Sequence, residues 1–474
     1  MKNFINCAVL LMVCGFAFGF SGGTGTTEDP YQISTEADLL QVNNDITASY
    51  ILVNDIILTG QYSDSLISAG QEGGTISTFT GAAFRGTFDG NGFTVKNLDI
   101  TAGTSDNVGL FGYVYQGTVK DLGIEEFAVS GHDSVGVLAG RNEGTIDGCY
   151  VSGDPNSVQG NMFVGGLIGI THPDSLTVNC WANAQVEGAE RVGGLVGQNG
   201  GDVTDCYAMG NAHATTANTG CHCGGLIGWY NTGEVSGCYA TGNVSGEGQR
   251  IGGLAGNLVS GAGPMTNCYA TGNVSHTGGM ISIVAVGGLV GQSAVDISEC
   301  YATGNVDGAG GTRVGGFGGF VSGAVSNCYA TGEVTASNTV GGFAGLTYDG
   351  VFTACYSVGA VNGSSPTGGF VGQRYQGGPL NGFWDTETSG TTTGIGTGGT
   401  GGGVVTGKTT TEMKTKQTFT DAGWDFDTIW VMPADAYPVF DWQLGLHPAD
   451  LTRNGIVDQD DLAIFVGEWL SEAL

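Results

Sequence analysis

Residues 251–276 read IGGLAGNLVSGAGPMTNCYATGNVSH, and this stretch decides the fold. Gly, Asn, Ser and Pro interrupt short apolar runs, with no helical period between them, which is the pattern of short strands joined by turns. The same text recurs along the chain. A segment of the form Val-Gly-Gly-Leu-Val-Gly begins at Val108, Val135, Val164, Val192, Cys223, Ile251, Val286, Val314, Val340 and Thr367, in steps of 27, 29, 28, 31, 28, 35, 28, 26 and 27 residues. A second signature, Cys-Tyr-Ala-Thr-Gly-Asn-Val, is complete at Cys238, Cys268 and Cys300 and nearly so at Cys149, Cys180, Cys206, Cys328 and Cys355. Ten copies at a near-constant spacing predict a solenoid. Two or three strands in each repeat predict one coil of a parallel β-helix, wound right-handed as parallel crossovers are.

Alternation along a strand sends Cys and Ala to one face and Tyr and Thr to the other. Small Cys and Ala are placed inside, Tyr and Thr outside. The large residue after Gly-Gly (Leu167, Leu195, Leu226, Leu254, Leu289, Phe317, Phe343, Phe370) is also placed inside. Equivalent residues then stack ~4.8 Å apart in Leu/Phe, Cys and Tyr files. That spacing exceeds the ~3.8 Å between Cβ atoms that a disulfide prefers, so the cysteines are expected to be unpaired, buried thiols.

Composition fits this plan. Of 474 residues, 90 are glycine, 41% are hydrophobic and only 12% are charged. Nine prolines and no Gly-X-Y period exclude collagen, the apolar content excludes disorder, and interior glycine at about 1 kcal/mol each excludes long helices. Forty-four acidic residues against 13 basic ones give a net charge of −31, which repels phosphate backbones and anionic bilayers. No nucleic-acid partner and no membrane insertion are therefore expected. The opening MKNFINCAVLLMVCGFAFGF reads as a signal peptide over 1–19, which predicts a secreted, cell-surface-associated protein.

The recurrence of Gly-Leu-(hydrophobic)-Gly followed by Asn-Cys-Tyr-Ala-Thr-Gly resembles the GLUG repeat of bacterial surface proteins and adhesins, over about residues 108–373. The flanks at Phe84–Val95 and Phe383–Gly390 are similar to segments that accompany such arrays. The resemblance implies a β-solenoid at the cell surface and no catalytic residues. GLUG repeats also accompany metallopeptidases, but no His-Glu-x-x-His occurs and the six histidines are scattered. The expected organisation is a signal peptide (1–19), an N-terminal cap and first coils (20–107), the solenoid (108–373), a closing segment (374–445) and a tail (446–474). Ser34 or Thr35 is expected to cap a short helix at the open end. Residues 388–407 read as a flexible Gly/Thr-rich loop. Thr409 and Glu412 form a capping box. The aromatic run Trp424, Phe426, Trp430, Tyr437, Phe440 and Trp442 is expected to close the far end.

The strongest chemical signal lies in the tail. Asp450, Thr452, Asn454, Asp458 and Asp461 supply oxygen at loop positions 1, 3, 5, 9 and 12, Gly455 sits at 6 and the Ile456 carbonyl at 7, a calcium-loop spacing. Leu462, Phe465, Val466, Trp469 and Leu470 then share one face of an EF-hand-like helix. This resembles one half of a type I dockerin, which implies a calcium cofactor and a cohesin-like partner. Thr452 departs from the usual Asn/Asp, and a single repeat is present.

Other motifs are weaker. Gly402-x4-Gly407-Lys408-Thr409 matches a phosphate loop by letters but follows no strand. Gly19-x-Ser21-x-Gly23 lacks a partner histidine. Cys221-His222-Cys223, with His213, reads as core filling rather than a metal site. The rival to a non-catalytic adhesin or spacer that binds extracellular polysaccharide or a cell-surface component is a carbohydrate-active lyase or hydrolase. Asp385 and Glu387 offer the carboxylate pair a hydrolase needs. A lyase on anionic glycans would draw on Arg85, Lys96, Lys120, Arg141, Arg191, Arg250, Arg313 and Arg374, of which Arg191, Arg250 and Arg313 precede a repeat's Val/Ile and form a surface stripe. Unbroken repetition argues against a unique site.

Overall fold

The computed structural model describes residues 19–70, 79–218, 220–279 and 283–444. In the deciding stretch the backbone makes five short strands, Arg250–Gly252, Ala255–Leu258, Met265–Thr266, Tyr269–Ala270 and Val274–His276, not two or three. Turn residues bend the chain every few positions, while each run is held by its neighbour one coil away. Ile251 pairs with Val286, Ala255 with Val290, Met265 with Ile297, Tyr269 with Tyr301 and Val274 with Val306, all in parallel. Repeated through the chain, this gives an all-β parallel solenoid of about 11 coils of roughly 28 residues.

The interior is built from files of equivalent side chains. Leu167, Leu195, Leu226, Leu254, Leu289, Phe317, Phe343 and Phe370 are all fully buried, as are the eight repeat cysteines and the alanines that follow at Ala182, Ala208, Ala240, Ala270, Ala302 and Ala330. Phe317, Phe343 and Phe370 stack at 4.6 and 5.0 Å. Coils approach closely enough to require glycine. A Cβ at Gly225 would lie 2.1 Å from the Gly253 carbonyl oxygen, and one at Gly242 would lie 1.9 Å from that of Gly210. The asparagine after Gly242 joins a side-chain ladder: Asn243, Asn273 and Asn305 donate their backbone N–H to Asn211, Asn243 and Asn273 Oδ1 at 2.9, 3.0 and 3.0 Å.

Coils begin earlier than the repeat itself. Tyr31–Ile33 pairs with Ser49–Leu52, which pairs with Thr87–Asp89 and through it with Phe111–Lys120. Thr35 caps the helix Glu36–Gln41 in a capping box with Asp38 at its third position. Buried Leu39 and Val42 join this end to the interior.

Two expectations change at the other end. Residues 388–407 are not simply a loop: Ile395–Thr397 pairs with Val371–Arg374, and Val405–Lys408 with Leu380–Asp385, forming a last partial coil. Low side-chain complexity does not remove N–H and C=O groups, which continue the ladder wherever a strand below exposes its own. The aromatic run, expected at the far end, is also found along the flank. Its hairpin, Trp430–Val431 against Val439–Phe440, folds back along the flank onto Tyr301, Tyr329 and Tyr356.

Candidate functional site

The tyrosine after each repeat cysteine points outward, and the parallel register stacks these rings into one file. It runs Tyr150, Trp181, Tyr207, Tyr239, Tyr269, Tyr301, Tyr329 and Tyr356, with neighbouring centroids 4.6–5.8 Å apart and planes within 6°. Tyr150 and Trp181 begin the file. Each has the same place after a cysteine, and only register brings the indole into line. Stacking covers the ring faces, so the file offers solvent its edges and hydroxyls.

The C-terminal segment divides the file. Tyr301, Tyr329 and Tyr356 are buried beneath Trp424, Trp430, Phe440 and Trp442, whereas Tyr150, Trp181, Tyr207, Tyr239 and Tyr269 remain partly exposed. Tyr329 exchanges hydrogen bonds with Gln443 at 2.7 and 3.0 Å, and the Tyr356 hydroxyl donates to the Pro438 carbonyl. Burial pushes the Tyr301 hydroxyl up to about 12. Where the open file passes under the segment lies a cleft of about 530 Å³ lined by Tyr239, Asn267, Tyr269, Tyr301, Trp442 and Gln443. Trp442 remains 38% exposed at its rim.

A second outward file carries the predicted arginine stripe. The register runs Arg191, His222, Arg250, Ala285, Arg313, so the cations fall on alternate coils. The adjoining file holds Gln198, Trp229, Asn257, Gln292 and Phe320. The Arg191 guanidinium lies 3.7 Å over the Trp229 ring, and that of Arg313 lies 4.8 Å over Phe320. Trp229, Gln198 and Gln292 were not legible as site residues. Their slot varies from repeat to repeat, holding Ile170, Asn257, Phe320 and Leu346 elsewhere, and only the register sets them beside the arginines.

The remaining candidates divide differently. Asp385 is fully buried, accepts the Glu387 and Thr388 N–H groups at 2.9 and 3.1 Å, and takes the Tyr437 hydroxyl at 2.8 Å. Glu387 accepts from the Thr410 N–H at 2.9 Å. Both carboxylates thus tether the C-terminal segment. In Gly402–Thr409, Val405–Lys408 is a strand and Thr409 caps a four-residue helix, Thr410–Met413. Ser21 donates to Asp38 at 2.9 Å within the N-terminal cap. Cys223 pairs with Val192 and Ile251 in the interior, and His213 bonds Ser245 at 2.8 Å. Among the described residues, three potential metal-ligand atoms converge only at Asp106, His132 and Asp133. The calcium-loop residues Asp450, Thr452, Asn454, Ile456, Asp458 and Asp461 lie outside the described residues, as does the signal segment before residue 19. Among the described residues, no helix is long and apolar enough to cross a membrane.

Comparison with known proteins agrees with the repeat. Over 159 residues the chain is 37% identical to halomucin of Haloquadratum walsbyi (strain DSM 16790 / HBSQ001), a match covering 32% of this chain and 2% of that protein. Over 191 residues it is 33% identical to a provisionally named Gly-rich membrane protein of Evansella cellulosilytica, covering 39% of this chain and 22% of the other. The chain therefore spans only a small part of either relative. A crystal structure from Bacteroides ovatus, provisionally assigned as an immunoglobulin A1 protease, aligns over 89% of this chain and 95% of its own at 19% identity, with a TM-score of 0.33. The GLUG motif matches residues 188–212 and 310–335, each spanning strands of successive files in one coil. The chain is thus an array of parallel β-coils that carries GLUG motif repeats.

Proposed function

We propose that this is a secreted or cell-surface, non-catalytic β-solenoid, an adhesin or spacer that holds extracellular glycan along its open aromatic file. The observation that carries this reading is the cleft between Tyr239, Tyr269 and Trp442. There an otherwise uniform file acquires a second wall with an exposed indole. The exposed Trp442 indole suits the apolar face of a sugar, and the tyrosine hydroxyls with the Asn267 and Gln443 amides suit its hydroxyls. The matches to a halomucin and to a Gly-rich membrane protein support a location at or outside the cell surface. The spacing of Asp450, Thr452, Asn454, Ile456, Asp458 and Asp461 supports calcium binding by the tail, and its dockerin resemblance supports a cohesin-like partner.

The test is retention of the protein on immobilised polysaccharides, with and without calcium, scored together with product release. Retention without products is expected, and replacing Tyr207, Tyr239 and Tyr269 by Ser should reduce it at least tenfold. Unchanged retention in that variant sinks the aromatic-file reading. Released oligosaccharides would establish the enzyme instead.

A further inference from the structure

The arginine file poses a problem that the aromatic file does not. The chain carries 44 acidic residues against 13 basic ones, so a cation here has abundant potential partners. Lys96, Lys120, Arg141 and Lys408 each meet a carboxylate. Among the described residues, none of Arg191, Arg250 and Arg313 does, although each is partly buried. Instead they meet neutral groups. Arg191 Nη1 donates to Gln198 Oε1 at 2.8 Å, and Arg250 donates to Gln292 and Gln249 at 2.8 and 3.3 Å. A guanidinium carries five N–H donors, so most of theirs are left over.

Polar atoms around Trp229, two of them N–H donors, are also left without partners. Arg191 Nε, Trp229 Nε1 and His222 Nδ1 are buried and make no hydrogen bond among the described residues. His222 is only 4% exposed, and its ring meets Trp229 edge-on at 5.5 Å. Burial, reinforced by Arg250 and Arg191, lowers His222 to about 3, so the imidazole is neutral between two cations. One coil pair further on, Arg250 and Arg313 flank the buried Ala285 in the register, and the Arg313 charge is felt at Arg250. Leaving a buried donor empty is costly, and leaving a cation unpaired more so. An anion supplied from outside would satisfy both groups.

We propose that Arg191, Arg250 and Arg313, with Trp229 and the flanking glutamines, form a binding strip for an acidic polysaccharide lying along the solenoid axis. Alternate coils place these arginine positions about 9.6 Å apart along the backbone, at ~4.8 Å per coil. That repeat is the length of a disaccharide in an extended chain, so a polymer with one carboxylate or sulfate per disaccharide meets a cation at every anion. Glutamine amides alongside the cations suit the hydroxyls between the charges. An acidic peptide matches this spacing less well, because its charges repeat at the much shorter interval of one residue. The strip is separate from the aromatic file, which lies on a different strand of the coil, and it stands whether or not that file binds sugar.

The test is affinity electrophoresis of the full chain, with EDTA throughout so that calcium cannot bridge an acidic protein to an acidic glycan. Hyaluronate presents one carboxylate per disaccharide, κ-carrageenan presents one sulfate per disaccharide, and neutral dextran and poly-glutamate are the controls. Retardation by hyaluronate, κ-carrageenan or both is expected, weakening as salt rises, and which one retards the chain identifies the anion. Arg250→Gln should weaken it at least fivefold, and Arg191→Gln with Arg313→Gln together at least tenfold. Arg250→Lys should restore only part, since lysine keeps the charge but not the planar fork. Lys120→Gln, which removes a cation outside the strip, should leave it unchanged, so that the loss is not one of net charge. If the double variant fails to fold, Arg313→Gln alone must still weaken retardation. No retardation by either anionic glycan, equal retardation by neutral dextran or poly-glutamate, or indifference to the arginine substitutions would overturn the proposal.

Discussion

At the residue scale, the recurring cysteine has a reason beyond small size. The residue before it has positive φ in every repeat: Gly148, Asn179, Asp205, Gly237, Asn267, Glu299, Asn327 and Ala354, at 51–64°. Gly, Asn and Asp tolerate this left-handed bend best, which accounts for most of the set; Glu299 and Ala354 have no such preference. The bend turns the cysteine N–H toward the interior, away from any carbonyl. It finds sulfur instead: Cys149, Cys180, Cys206, Cys238 and Cys268 donate their N–H to the next coil's Sγ at 3.3–3.4 Å. Each thiol in turn donates to the carbonyl two residues earlier, as Cys238 does to Ser236 at 3.2 Å. All ten described cysteines are free and buried, and burial pushes thiols such as Cys238 well above their ordinary range. Cys238→Ala should therefore cost about 1–3 kcal/mol by stranding the Cys206 N–H. Cys238→Ser, whose hydroxyl can accept and donate, should cost less despite its polarity. Urea unfolding midpoints check the order; Ala tolerated better than Ser would show that the thiol is only a space filler.

At the scale of elements, the informative piece is the C-terminal segment on the flank. Its grip is aromatic and specific. Trp430 is fully buried, meets Tyr329 and Tyr356 at 6.2 and 6.0 Å, and donates Nε1–H to Asn327 at 3.3 Å. The Tyr437–Asp385 and Glu387–Thr410 hydrogen bonds fix the approach. The sequence shows that these aromatics must be buried, but their partner is a file that exists only after the coils stack. A cap on the last coil would satisfy the same composition. Because the coils hold one another without the segment, Trp430→Ala should open it locally rather than unfold the molecule. The expected loss is about 3–5 kcal/mol of docking, typical of a buried Trp truncated to Ala. Hydrogen exchange should then rise across 409–444 and at Tyr301–Tyr356, with the coils before Tyr269 still protected. Loss of protection throughout would mean that the segment holds the solenoid together.

At the scale of the molecule, each coil touches its two neighbours and little else, so the chain is quasi-one-dimensional. Removing one whole repeat, residues 223–250, should shorten the solenoid and leave a folded protein, because Val192 would meet Ile251 in place of Cys223. Removing half of it should break every file at once. Far-ultraviolet circular dichroism and a protease ladder separate these outcomes, and a half-repeat deletion that folds as well as the whole-repeat one would refute the one-dimensional picture. The repeat period, the inward Leu/Phe and Cys files and the outward tyrosines are settled by sequence alone, because a parallel coil converts period directly into alignment. What is one file and what is its neighbour is settled only by register. Arg191, Arg250 and Arg313 reach the same line as His222, and Trp229 stands beside them, because loops of unequal length between strands leave the strand pairing intact. The segment that divides the aromatic file is likewise placed by packing, since aromatic burial is non-directional and any sufficient apolar surface could have accepted it.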